Sequence, residues 1–248
     1  MSVISYFANP VRFERFAKYA SPLFGGAAVL AGLIGLYYAL LNSPAEADQG
    51  HAVRIMYVHV PAAWCAMMAY SCLAGASLVS FVWRHPLADS AAKAFALPGM
   101  AFTFLALATG SLWGKPIWNT WWEWDGRMTS VLVLLFIYLA YMGLWSVIAD
   151  KKRAARLASI FAMVGFINIP IIKFSVEWWN SLHQPASISK LESASIYSAD
   201  MITALLVMML AYSCLFGWLS INGIRRDIQK ARSNRASAPS ASAVITEL

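Results

Sequence analysis

The chain carries four histidines, and two of them stand where an imidazole could ligate a metal. His59 lies in RIMYVHVPAAW, at the start of a long apolar run. His183 lies in EWWNSLHQP, beside the paired Trp178 and Trp179. His51 and His85 fall in polar connections and read as solvated side chains. Between the two ligand candidates runs WGKPIWNTWWEWDGRMTS, residues 113–130, in which Trp113, Trp118, Trp121, Trp122 and Trp124 fall within twelve residues. Lys115, Glu123, Asp125 and Arg127 are interleaved with them. Flat, amphipathic rings at this density fit two readings: an aromatic belt at a membrane surface, or a platform for an apolar ligand or a partner.

Imidazole is the usual axial ligand of haem iron, and a haem would suit the rest of this surface. Its flat macrocycle needs aromatic walls, which Trp118, Trp121, Trp122 and Trp124 could supply. Its propionates need cations, and Arg54 and Arg127 could meet them by charge-assisted hydrogen bonds; ordinary interface anchoring is the other reading of each arginine. For Asp125 several duties are open: orienting an indole N–H or Arg127, serving the loop's own fold, or projecting charge with Glu123 toward a partner. Two groups are accordingly expected in the loop, with Trp118 and Trp121 holding the ligand and Trp124 and Asp125 docking a partner. No C-x-x-C-H occurs, so covalent haem attachment through that motif is excluded. Cys65, Cys72 and Cys214 all lie inside apolar runs and read as small core residues.

These residues must be positioned by membrane spans. The chain is 60% hydrophobic and only 12% charged, where soluble domains carry about 25% charged residues. Six apolar runs, at about 22–41, 55–83, 94–112, 129–149, 157–174 and 199–221, are each long enough to cross the ~30 Å hydrocarbon core. The fold class is all-α: a single six-span domain over 1–221 with two tryptophan-rich outer loops, followed by a basic tail at 222–248 with a disordered Ser/Ala-rich end. Residues 1–20, with Phe7, Val11, Phe13 and Phe16 against Arg12, Arg15 and Lys18, read as an amphipathic segment along the inner surface. Asn168 and Pro170 in the fifth run mark either a kink near the interface or backbone lining a cavity. No cleavable signal peptide is evident. The two termini and the connections at 84–93 and 150–156 together hold fourteen of the nineteen Lys and Arg residues, leaving Arg54, Lys115, Arg127, Lys173 and Lys190 for the other side. The positive-inside rule then puts both termini in the cytoplasm and both tryptophan-rich loops outside. This accounts for the net charge of +7 without nucleic acid.

The run at 113–130 resembles the tryptophan-rich "WWD" signature of the haem-handling membrane proteins of cytochrome c maturation. RIMYVHVPAAW and FSVEWWNSLHQP resemble the two histidine-bearing segments of the haem exporter protein C (CcmC) family. The resemblance runs from about residue 20 to 221. In one departure, Asn119 stands where the family often has glycine, which bears on fine loop geometry. The resemblance implies a bacterial inner-membrane protein that holds haem b non-covalently between His59 and His183 at the periplasmic face. It implies delivery of that haem to the periplasmic chaperone CcmE, and work alongside an ABC transporter complex of CcmA, CcmB and CcmD. The chain has no G-x-x-x-x-G-K-[ST] motif of its own, so on this reading ATP hydrolysis belongs to the partner and the chain is a delivery protein rather than an enzyme.

Two other classes remain in view. A membrane redox cytochrome of the b type needs ligands at more than one depth, and the inner halves of the spans hold no histidine. A permease for haem or another apolar solute would gather polar groups near the midplane, whereas this chain gathers them at one end.

Overall fold

A computed structural model describes residues 9–179, 181, 183 and 198–237. Phe7 of the expected surface segment, Lys190 in the second outer loop and the Ser/Ala-rich end of the tail lie outside the described residues. The described residues form helices α1 (Pro10–Tyr37), α2 (Met56–Trp83), α3 (Ala88–Trp118), α4 (Gly126–Val147), α5 (Lys151–Gly165), α6 (Asn168–Trp178) and α7 (Ala199–Ala236). A π-turn at Tyr38–Asn42 ends α1, and a 3-10 turn at His51–Ile55 leads into α2. Counting α5 and α6 as one broken span, there are six apolar helical stretches of 22 to 36 residues. At about 1.5 Å per residue each is long enough to cross a bilayer. The protein is a polytopic all-α membrane protein.

Short polar side chains start these helices where the sequence supplies them. The Oδ1 of Asn9 accepts from Val11 N at 2.9 Å, with Pro10 in the first turn. Asp150 caps α5 through Lys152 N at 2.9 Å, and Ser198 caps α7 through Met201 N at 3.3 Å. Each such cap satisfies an amide that the helix itself leaves unpaired. α2 and α3 pair side by side, α1 lies along α7, and α4 packs on α3, α5 and α6. The central core is small and aromatic: Tyr70 and Tyr138 meet edge to face at 5.2 Å. Their hydroxyls donate to the carbonyls of Ala162 at 3.1 Å and Ala66 at 2.9 Å. Hydrogen bonds of this kind between spans replace the water that a membrane interior lacks.

Three expectations change. The segment 10–20 is not a separate surface helix: it is continuous with the first span, because no breaker other than Pro22 interrupts it and Phe13, Ala17 and Ala20 pack on Leu87, Ile221 and Ile224. The last helix does not stop near residue 221 but runs to Ala236. Its extension is tied to α3, since Asp227 accepts from Lys93 Nζ at 2.7 Å and from Ser90 Oγ. The tryptophan run is only partly a loop, because Trp113 and Trp118 belong to α3 and the loop proper is residues 119–125. The fifth span combines both readings of Asn168. The helix breaks after Gly165, and buried Asn168 donates from Nδ2 to the Ser130 carbonyl at 2.9 Å. Pro170 falls in the first turn of α6, where the missing N–H costs no helical bond. Asn168 also lines an open cavity of about 370 Å³ with Trp124, Asp125, Thr129 and Trp179.

Candidate functional site

The first candidate ligand is set by two adjacent helices. His59 sits one turn into α2, facing α3. Its Nδ1 lies 3.0 Å from the Ala106 carbonyl and 3.2 Å from Thr109 Oγ1. A carbonyl can only accept, so Nδ1 carries the proton and Nε2 keeps its lone pair. The ring meets Trp113 edge-on at 5.7 Å, and Trp113 is itself held by a 3.0 Å bond from Nε1 to Gln49 Oε1. Gly110 completes the seat, because a Cβ there would stand 3.0 Å from His59 Cε1. Ala106, Thr109, Gly110 and Trp113 thus form one face of α3, shaped to the imidazole. Gly110→Ala should therefore displace the ring and lower ligand occupancy several-fold while the protein still reaches the membrane, measurable as bound chromophore per purified chain.

The second candidate ligand is fixed by the loop. Asp125 caps α4, with Oδ1 accepting from Met128 N at 2.7 Å. Its Oδ2 accepts from His183 Nδ1 at 2.9 Å and from Ser181 Oγ at 2.5 Å. The His183 ring packs on Trp118 with centroids 4.9 Å apart. Burial alone would raise the Asp125 carboxyl, but hydrogen bonds from Ser181, the Met128 amide and His183 outweigh it and hold the group below the usual carboxylate range. Burial depresses His183 despite the pull of Asp125. At neutral pH the pair is therefore a carboxylate and a neutral imidazole, whose Nε2 has no partner among the described residues. The two imidazoles and Arg127 lie within electrostatic reach of one another.

Two neutral imidazoles with free Nε2 atoms suit a metal whose other ligands come with it. A bare ion usually takes three or four protein donors, and the described residues contain no cluster of three His, Cys, Asp or Glu. Haem iron needs only the two axial positions. The cations fit as well. Arg54 donates from one terminal nitrogen to the Ser43 carbonyl at 3.1 Å, and among the described residues Arg127 makes only a long 3.5 Å contact with the Lys173 carbonyl. The Nε atoms of both are buried without a partner among the described residues, which leaves donors to spare for carboxylates.

A family model described as "Heme exporter protein C" matches residues 3–239. The chain belongs to the haem exporter protein C family. Relatives bearing that name include one from Bradyrhizobium diazoefficiens, 50% identical over 225 residues, 91% of this chain and 85% of the relative. Another, from Haemophilus influenzae, is 40% identical over 92% of this chain and 93% of its own length. A "putative cytochrome c biosynthesis ccmC-like mitochondrial protein" of Marchantia polymorpha is 44% identical over 77% of this chain and 80% of its own.

Within this member of the haem exporter protein C family, the residues singled out in the sequence divide sharply. His59, His183, Trp113, Trp118, Asp125, Arg54 and Arg127 gather at one end of the bundle. Trp122 and Trp124 meet edge to face at 5.3 Å, and Trp124 is 73% exposed. Trp121 is 55% exposed. Trp178 and Trp179 are also exposed, and Trp179 lies over Gly126, where a Cβ would stand 3.0 Å from its ring. Asp125 is corrected most: at 7% exposure it projects no charge outward but serves His183. Asn119 takes a left-handed backbone (φ 56°) as the C-cap of α3. Asparagine tolerates that conformation better than other non-glycine residues, so the departure from glycine keeps the same turn. His51 is exposed, and His85 accepts from Leu87 N at 3.2 Å in the turn between α2 and α3, at the opposite end. Ala106, Thr109 and Gly110 were not foreseen, although their spacing relative to Trp113 is that of one helix face.

Proposed function

We propose that the protein holds haem b non-covalently between His59 and His183 at the periplasmic face of the bacterial inner membrane. From there it hands the haem to the chaperone CcmE for cytochrome c maturation. The observation that carries this reading is the pair of imidazoles, each with Nδ1 tied to protein and Nε2 without a partner among the described residues, set beside Trp113 and Trp118. His59 and His183 would bind the iron axially. Trp113 and Trp118 would wall the macrocycle, and Arg54 and Arg127 would pair with its propionates. When bound, the haem supplies the iron centre that is the cargo; the chain's own residues bind it, orient it and exclude water from its faces.

The names of the relatives, haem exporters and a cytochrome c biosynthesis protein, favour the same cargo and pathway. The charge asymmetry favours cytoplasmic termini, since basic residues crowd the end of the bundle away from the site. Exposed Trp121 and Trp124 at the site's rim favour a docking surface for the chaperone. An assembly with CcmA, CcmB and CcmD, in which the ABC transporter supplies ATP hydrolysis, completes the proposal.

An absorption spectrum of the purified protein tests it. The expected result is a six-coordinate, low-spin haem that leaves the polypeptide entirely in acidified acetone. Protein purified from haem-replete cells without chromophore, or with chromophore that stays on the chain in acid, would sink the reading.

A further inference from the structure

We propose that Asp125 is a positioning residue for His183 that also strengthens this imidazole's donation to iron, biasing the site toward ferric haem. The inference rests on the haem reading above. Its basis is an asymmetry between the two ligands. The His59 N–H donates to a neutral carbonyl on α3. The His183 N–H donates to a buried carboxylate that is itself pinned at both oxygens. Oδ1 is fixed by the first turn of α4, so the carboxylate cannot follow the ring if the ring moves. It sets both the orientation of His183 and the nitrogen that bears the proton.

A carboxylate behind an imidazole makes the opposite nitrogen a better donor. Stronger donation, together with a nearby buried negative charge, favours the more positive iron. Arg127 opposes this by its charge, but it forms no ion pair with Asp125 among the described residues and stands at longer range. The Ser181 hydroxyl donates to the same Oδ2 and withdraws part of its charge from His183. Asp125 and Ser181 therefore act on the iron in opposite directions, which a merely structural role for either would not produce.

Asp125→Asn keeps the shape and the capping oxygen, since asparagine caps helices as well as aspartate, but removes the charge. Redox titration of the haem-loaded protein should give a midpoint potential above wild type, with haem held about 10–100-fold more weakly. Ser181→Ala should move the potential below wild type. Glu123→Gln, an exposed acid in the same loop, should leave it unmoved. In haem-free protein labelled with 15N-histidine, His183 should carry its proton on Nδ1 in wild type and lose that preference in Asp125→Asn. If wild type lacks the low-spin bis-imidazole spectrum, the haem reading itself fails. If wild type has it and Asp125→Asn retains both the wild-type potential and the wild-type tautomer, the role of Asp125 is overturned. Should Asp125→Asn not accumulate, Ser181→Ala decides alone: a lowered potential supports the proposal, and an unchanged or raised one refutes it.

Discussion

Replacing either His59 or His183 by alanine is expected to convert the low-spin haem spectrum to a five-coordinate, high-spin form or to abolish it. An iron held by two imidazoles is six-coordinate, and loss of either leaves one axial position without its protein ligand. His51→Ala and His85→Ala should leave the spectrum unchanged. His51 is exposed on the turn before α2, and His85 lies at the far end of that helix. A His51→Ala variant with the same spectral change as His59→Ala would mean that the ligand on this side has been misassigned. The two true variants should also differ in kind. His183→Ala takes one of three hydrogen-bond donors from a charged carboxylate, which keeps Met128 N and Ser181 Oγ, whereas His59→Ala takes a donor from a neutral carbonyl and hydroxyl, a smaller loss.

The second large effect is expected to split the tryptophans. Trp118→Ala removes the ring that packs on His183 at 4.9 Å and should lower haem occupancy outright. Trp124→Ala removes a ring that is 73% exposed and should leave occupancy and spectrum near wild type. It should nevertheless weaken docking of the chaperone, since an exposed tryptophan at an interface is a favoured hot spot worth about 2 kcal/mol, or roughly thirtyfold in affinity. Co-expression of each variant with the chaperone, followed by haem measurement on both proteins, separates the classes. If delivery falls only in proportion to occupancy in every variant, the rim tryptophans are not a docking surface.

Much of this was legible in the sequence for physical reasons. Six apolar runs can only be buried in lipid or in each other, so span count follows from length alone. His59, His183, Arg54 and Arg127 stood out as polar groups at the edge of apolar segments, where each needs a partner. The role of Asp125 was not legible, because its contact with His183 joins residues 58 apart in sequence, with helices α4, α5 and α6 between them. An acid in a tryptophan-rich loop reads equally well as a surface charge. The seat of His59 was hidden for a different reason: Ala106 contributes only a backbone carbonyl, and Gly110 contributes the space where a side chain is missing. Neither has a chemical signature. Helix boundaries at Trp118 and Ala236 escaped hydropathy, because both extensions are polar enough to look like loops and are ordered by contacts between helices.

One haem is expected to bridge α2 and the segment after α6 through two specific nitrogens. A cryo-EM or crystallographic map of the haem-loaded protein tests it most directly. The prediction is iron bonded to Nε2 of His59 and Nε2 of His183, with Nδ1 of each still donating to Ala106 and Asp125. Iron bonded to Nδ1 of either residue, or to any other side chain, would contradict it.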